Sequence, residues 1–311
     1  MTTYSIIIPA YNEEKTLRLF YDAAISAFDT LQEEYELIFV NDGSTDGTRA
    51  VLKTLAQADK RVKVCNFSRN FGQQAALLCG MQHAQGKAVI VMDADLQDPP
   101  EVALKMIEEW KKGYEVVHGK RRKRKGETLF KKTTAKFFYG FTRKITGMRI
   151  QRNSGDFKLY DRKVVDAILA MPEHDRLLRA QVAWVGFSQT CVEFDRPERV
   201  AGSSHYTLKK MFRLAQAGIF PNTEYTLTFP IKLGVAMAIL SLACFAVFIA
   251  LTCCKIYFGG LTAWLFPTAT LLTSVIVLCQ GMANMHIHMI YKEVQNRPKY
   301  ILTDTFNIDG E

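Results

Sequence analysis

Two acids spaced i and i+2, Asp93 and Asp95, end the apolar run of VIVMDADLQDPP (residues 89–100), and Gln97 follows two residues on. Carboxylate and amide oxygens are the ligands of a hard divalent cation. Magnesium in particular is held by one or two carboxylates together with substrate phosphate oxygens. An isolated D-x-D says little, because two acids after a strand more often cap a helix and face water. A second group, Lys120 to Lys125, is six cations in a row. Such a run is not buried without anionic partners, and lipid headgroups or phosphorylated ligands are the candidates.

The elements that position these groups follow from hydrophobic periodicity. Strands are expected at Ser5 to Pro9, Glu36 to Val40, Val62 to Phe67, Ala88 to Met92 and Glu115 to His118. Helices are expected at Glu14 to Phe28, Thr48 to Ala58, Gly72 to Ala84 and Pro100 to Lys111, with Asp98 as N-cap of the last. Beyond the basic run come a helical stretch from Leu129 to Ile145, the loop Asn153 to Phe157, a helix from Val164 to Met171 and a strand-like segment from Phe187 to Phe194. Strands alternating with helices imply right-handed crossovers and an α/β fold with a largely parallel, doubly wound sheet. Four polar loops, including PAYNEE after the first strand, NDGSTDG after the second and SRNFG after the third, then line one sheet edge, where open α/β sheets keep their ligands. Neither nucleotide fingerprint is present. PAYNEE stands where G-x-G-x-x-G would be, and the stretch Gly80 to Lys87 has the wrong spacing for a P-loop and leads into a strand.

The 311 residues carry a formal charge of +9, but nearly all charge precedes Pro230. Ile231 to Cys254 and Leu265 to Met289 are each long enough to span a bilayer. Thr207 to Phe220, with Lys209, Lys210 and Arg213 opposite an apolar side, has the pattern of a helix lying in the membrane interface. No cleavable leader is read at the amino terminus. With Lys292, Arg297 and Lys299 after the second span, both termini are expected in the cytoplasm. The expected organisation is a catalytic domain at 1–200, an interfacial helix and connector at 201–230, two transmembrane helices at 231–290 and a cytoplasmic tail at 291–311. Membrane spans argue against nucleic acid as partner of the basic run. The seven cysteines show no CxxC and no cysteine–histidine zinc spacing, and read as reduced packing residues. Gln280, Asn284 and His288 share one face of the second span, read first as a packing contact and otherwise as a polar track for a lipid phosphate.

The motifs SIIIPAYNEE, VNDGSTDGT, SRNFGQQAA, MDADLQDPPE, GKRRKRKGE, NSGDFKLYDRKVV and WVGF occur in this order across roughly residues 4–206. In them the chain resembles the family-2 glycosyltransferases of the GT-A type, and within these the polyprenyl-phosphate glycosyltransferases. The resemblance implies a GT-A domain with a membrane hairpin, a multi-pass enzyme of the cell (inner) membrane whose catalytic domain is cytoplasmic. It also implies a nucleotide sugar as donor (a UDP-sugar ahead of a GDP-sugar), a polyprenyl phosphate such as undecaprenyl phosphate as acceptor, Mg2+ or Mn2+ as cofactor, the lipid bilayer as partner, and a homo-oligomer, a tetramer among the states allowed. By the same resemblance Pro9, Tyr11, Glu13, Asp42 and Ser68 hold the nucleoside. Asp93, Asp95 and Gln97 hold metal and diphosphate, Arg121 and Arg124 serve the donor diphosphate and acceptor phosphate, and Asp156 lies beside the reacting sugar carbon. Guanidinium groups suit phosphate oxygens bidentately, which favours these two arginines within the basic run.

The reaction so implied is inversion in one displacement. A phosphate monoester is largely dianionic at neutral pH and barely needs a general base. Read from residues alone, without the resemblance, Tyr11 and Glu13 are helix-start residues and Asp156 an Asx turn. A noncatalytic nucleotide-sugar scaffold and a polysaccharide synthase are the alternatives. The synthase is disfavoured because Gln181-Val-Ala-Trp184 lacks the arginine of Gln-x-x-Arg-Trp. The chain departs from the family at His205, where lysine is common, at PNTEYTLTFP before the first span, and at Ala180, where glycine is common.

Overall fold

The computed structural model describes residues 2–122, 154–173, 177–195 and 261–308, with seven isolated positions between 233 and 254. Eight strands form one sheet in the order β7-β5-β6-β4-β1-β2-β3-β8. They are β1 (Tyr4–Ala10), β2 (Tyr35–Asn41), β3 (Val62–Phe67), β4 (Ala88–Val91), β5 (Val116–Arg121), β6 (Ser154–Asp161), β7 (Gln189–Phe194) and β8 (Leu302–Phe306). The helices are α1 (Leu17–Phe28), α2 (Thr48–Ala58), α3 (Gln73–His83), α4 (Pro100–Lys111), α5 (Arg162–Leu169), α6 (Leu178–Trp184) and α7 (Leu261–Gln295).

The apolar runs become strands because both faces of the sheet are covered. Along β1, Ile6 and Ile8 enter a core with Phe20 and Phe28 of α1, Leu52 and Leu55 of α2 and Met106 of α4. Ile7 enters a second core with Leu77 and Met81 of α3, Val164 and Ile168 of α5 and Val182 of α6. All three isoleucines are fully buried, each worth about 1.5–3 kcal/mol of hydrophobic stabilisation. Gly80 lets α3 sit close to the sheet, since a Cβ there would lie 2.3 Å from Cγ2 of Ile7.

The expected parallel sheet is corrected to a mixed, mostly parallel one. β4-β1-β2-β3 pair in parallel, as do β5 and β7, whereas β6 runs antiparallel between β4 and β5, and β8 runs antiparallel on β3. Residues 154–161, expected as a loop running into a helix, form β6. Phe157 and Leu159 go into one core, Tyr160 into the other, and Asp156 and Lys158 are buried. A strand with two buried charges does not read as an apolar run. Residues 302–306, expected within a tail, form the edge strand β8, pinned by the Arg49–Asp304 ion pair at 2.8 Å and by Asn307, whose amide donates to the carbonyls of Ala56 and Val62.

The chain divides into two compact units, one of residues 1–143, 147–217 and 298–311, the other of 144–146 and 218–297. The second contains α7, which carries the apolar stretch 265–289 and on which the Gln280 amide donates to Asn284 at 3.2 Å. Among the described residues no helix is long and apolar enough to cross a membrane. The expected span 231–254 and the expected helices at 129–145 and 207–220 lie wholly or almost wholly outside those residues.

Candidate functional site

Strand directions assemble the site. β4 runs toward the loop edge and ends before Asp93. Because β6 is antiparallel to it, with Val91 opposite Lys158, Asp156 near the start of β6 falls at that same edge. β5 is antiparallel to β6 and therefore delivers its last residue, Arg121, there too. Gly155 leaves room for that arginine, since a Cβ would lie 3.0 Å from a guanidinium nitrogen.

In the loop after β4, Asp95 is buried and its Oδ1 accepts the Gln97 N–H at 3.1 Å. Between them Leu96 has φ of 58°, a left-handed conformation that non-glycine residues adopt at a cost of order 1–3 kcal/mol and that clusters at functional sites. Asp98 does not cap α4. The cap position is Pro99, without a side-chain bond, and Asp98 is fully buried with its carboxylate accepting the Asp93 N–H at 3.3 Å. The Arg121 guanidinium stands 3.7 Å from Asp98, and its Nε is buried without a hydrogen-bond partner among the described residues. Asp93 accepts from the Gln73 amide at the start of α3 at 3.2 Å. Asp156 is 9% exposed and accepts from Nε of Arg179 on α6 at 2.8 Å.

These groups set one another's charge. Burial, then the nearby carboxylates of Asp98, Asp156 and Asp95, push the Asp93 carboxyl up to about 8, with Arg121 opposing. Burial also works against the Asp156 carboxylate, but Arg179 first, then Lys158 and Arg121, outweigh it and hold that group below its ordinary range. Lys158 is brought down to about 8 by burial, against the pull of Asp156. Four carboxylates crowd this edge, and their mutual repulsion is what a divalent cation relieves. The oxygen donor set fits Mg2+ or Mn2+. Among the described residues no three of these acids bring ligand oxygens within 4.8 Å of one another.

The other loops are knit together beside this cluster. The Asp42 carboxylate, buried, accepts the N–H groups of Phe71 at 2.7 Å and of Gly72 at 3.0 Å, so it organises the SRNFG loop. Gly43, with φ of 65°, lets that loop approach, since a Cβ there would lie 2.2 Å from the Arg69 backbone. Asn12 accepts the Thr45 N–H, its own N–H donates to Ser44, and Glu14 accepts the Gly47 N–H, which joins PAYNEE to NDGSTDG. Pro9 is half-buried at the end of β1, Tyr11 is 47% exposed, Glu13 accepts from the Thr16 hydroxyl at 2.6 Å, and Ser68 is exposed with its N–H donating to Ile301.

The structure thus brings Asp93, Asp95, Gln97, Asp156 and Arg121 to one edge and sets Pro9, Tyr11, Glu13, Asp42 and Ser68 on the neighbouring loops. Arg124 lies outside the described residues. Sequence reasoning missed Asp98, Gln73, Lys158 and Arg179. Asp98 was visible within DADLQDPP but was read as a cap, and nothing local marks the other three, whose roles come from chain crossings.

A family model described as Glycosyl transferase family 2 matches residues 5–169. The uncharacterized glycosyltransferase YkcC of Bacillus subtilis (strain 168) is 42% identical over 99% of this chain and 95% of its own length. The SfII prophage-derived bactoprenol glucosyl transferase of Shigella flexneri is 37% identical over 96% of each chain. Among solved structures, glucosyl-3-phosphoglycerate synthase of Mycobacterium tuberculosis, in complex with Mn2+, UDP-glucose and phosphoglyceric acid, overlaps 70% of this chain and 77% of its own with a TM-score of 0.46 and 18% identity.

Proposed function

Because the chain belongs to glycosyl transferase family 2 and is a glycosyltransferase, we propose that it moves a sugar, with inversion, from a nucleotide diphosphate sugar to a polyprenyl phosphate at the cytoplasmic face of a membrane. The observation that carries this reading is the convergence of Asp93, Asp95, Asp98 and Asp156 with Arg121 and Arg179 at the sheet edge where β4, β5 and β6 meet. A bactoprenol-type acceptor is supported by the relatives that carry that substrate in their names, which match along nearly the whole chain. A UDP-sugar is favoured as donor. The apolar segment 231–254, almost wholly outside the described residues, would hold the enzyme where such an acceptor lies.

Asp93 and Asp95, with Gln97, would hold Mg2+ or Mn2+, and the bound cation supplies positive charge to the diphosphate as it departs. The Asp42-anchored loop and the Asn12–Thr45 and Glu14–Gly47 contacts fix the walls around the nucleoside. Pro9, Tyr11, Glu13 and Ser68 are the contact residues there. Arg121, aimed at the acid cluster and with an Nε that has no hydrogen-bond partner among the described residues, binds phosphate oxygens and aligns the acceptor, with Arg124 assisting. The acceptor dianion attacks without a strong base. Asp156, kept ionised by Arg179, faces the positive charge that develops at the anomeric carbon.

The test is to incubate membranes containing the protein with labelled nucleotide sugars and polyprenyl phosphate, with and without chelator. Label entering lipid, blocked by chelator and restored by Mg2+ or Mn2+, is expected. Donor binding without transfer would leave a scaffold. Long polymer on a gel would leave a polysaccharide synthase.

A further inference from the structure

We propose that Cys65, Cys79 and His83 form a binding site for a thiolate-preferring divalent metal ion, zinc foremost, separate from the acid cluster of the transfer site. The sequence offers no zinc spacing, and the site exists only through folding. Cys65 comes from β3, while Cys79 and His83 are four residues apart on α3 and so share a face. Nδ1 of His83 stands 3.7 Å from Sγ of Cys79 and 3.9 Å from Sγ of Cys65, and the three ligand atoms all lie within 4.8 Å of one another. Metal–sulfur bonds of about 2.3 Å and metal–nitrogen bonds of about 2.0–2.1 Å at tetrahedral angles give a sulfur–nitrogen edge of about 3.5 Å. Along both sulfur–nitrogen edges the donors need to close by only a few tenths of an ångström.

The donor chemistry is selective. Sulfur disfavours the magnesium that suits the oxygen cluster, so the two sites take different ions. Both cysteines are buried and His83 is half-buried, so the imidazole is the most accessible of the three ligands. In the free chain Nδ1 lies 2.9 Å from the Cys79 carbonyl oxygen. Binding at Nδ1 exchanges that hydrogen bond for a coordinate bond, with the imidazole proton on Nε2, and the two thiols release their protons to solvent. A dication with two thiolates and a neutral imidazole is a neutral centre, compatible with burial, and a water completes the tetrahedron. The segment after α7 packs over the same region. The Tyr300 ring stacks on Phe67 at 4.9 Å, and its hydroxyl donates to Gln82. An ion here therefore ties β3 to α3 beneath the returning end of the chain.

The experiment uses the full chain, purified in detergent and stripped with chelator. Zn2+ is titrated against a chromophoric competitor, and Co2+ is titrated while absorption is recorded. Expected are one equivalent of tight Zn2+, a thiolate-to-cobalt charge-transfer band, and a raised melting temperature in zinc. Cys79→Ser and His83→Gln each weaken zinc binding by on the order of 100-fold. His83→Gln keeps the inference testable if the buried cysteine variant does not fold. Asp95→Asn leaves the cobalt band unchanged. Absence of the band, equal zinc affinity in wild type and His83→Gln, or loss of the band in Asp95→Asn would each overturn the assignment.

Discussion

Replacing Arg179 with methionine keeps most of the side-chain volume and removes the guanidinium whose Nε lies 2.8 Å from Oδ1 of Asp156. Hydrogen bonds to charged groups contribute about 1.5–3 kcal/mol. Asp156 is 9% exposed, but the arginine side chain is 31% exposed and partly screened, so a loss of about 2 kcal/mol at pH 7 is expected. At about 2–4 °C per kcal/mol for a domain of this size, the melting temperature of the full chain in detergent, followed by near-ultraviolet circular dichroism, falls by about 4–8 °C. The pH dependence follows from linkage. The folded Asp156 carboxyl is held low because Arg179, Lys158 and Arg121 outweigh burial, so its contribution is present above the unfolded value of about 3.9 and is lost as pH falls through the folded value. Without Arg179 burial dominates and the carboxyl takes up its proton at higher pH. The gap between wild type and variant is therefore widest near pH 7 and closes as pH falls through the carboxylate range. In an Asp156→Asn background, Arg179→Met costs much less. The same loss at pH 4 as at pH 7, or a coupling between the two positions below about 0.5 kcal/mol, would refute the reasoning.

Other outcomes are expected elsewhere. Asp95→Ala removes turnover in the labelled-lipid assay while the melting temperature stays within a few degrees, and retained, chelator-resistant activity would overturn the metal assignment. Gly80→Ala places a Cβ 2.3 Å from Ile7 and forces α3 off the sheet, at about 1–3 kcal/mol of stability read from a thermal melt. Asn307→Ala removes two hydrogen bonds, to the carbonyls of Ala56 and Val62, and costs about 1–3 kcal/mol. Hydrogen exchange should then show β8 opening before β1 and β2, and unchanged protection of β8 would count against it.

Much of the fold was legible where one periodicity dominates. α2, β3 and α4 begin and end where expected, because apolar spacing, the turn at Gly47 and the proline at the head of α4 act locally. β6 was not legible, because its site-facing residues Asp156 and Lys158 carry charges buried only by virtue of Arg179 and the neighbouring carboxylates. β8 was not legible either. Five residues, of which the middle three (Thr303, Asp304 and Thr305) are polar, acquire strand character only when the exposed edge of β3 is there to pair with them, and that edge lies more than two hundred residues upstream.

The candidate site divides along the same line. Asp93, Asp95 and Gln97 could be found in the sequence because they follow one buried strand within a few residues, and motif order alone tied them to Arg121 and Asp156. Only tertiary structure decided which charges meet. The antiparallel placement of β6 sets Asp156 beside the end of β4, α6 supplies Arg179, and Asp98 turns inward to Arg121 instead of capping its helix. Local sequence determines which segments become strands and helices, since those preferences act over a few residues. Charge partnership acts through space between segments far apart in the chain, and so do the thiols of Cys65 and Cys79 that meet at His83.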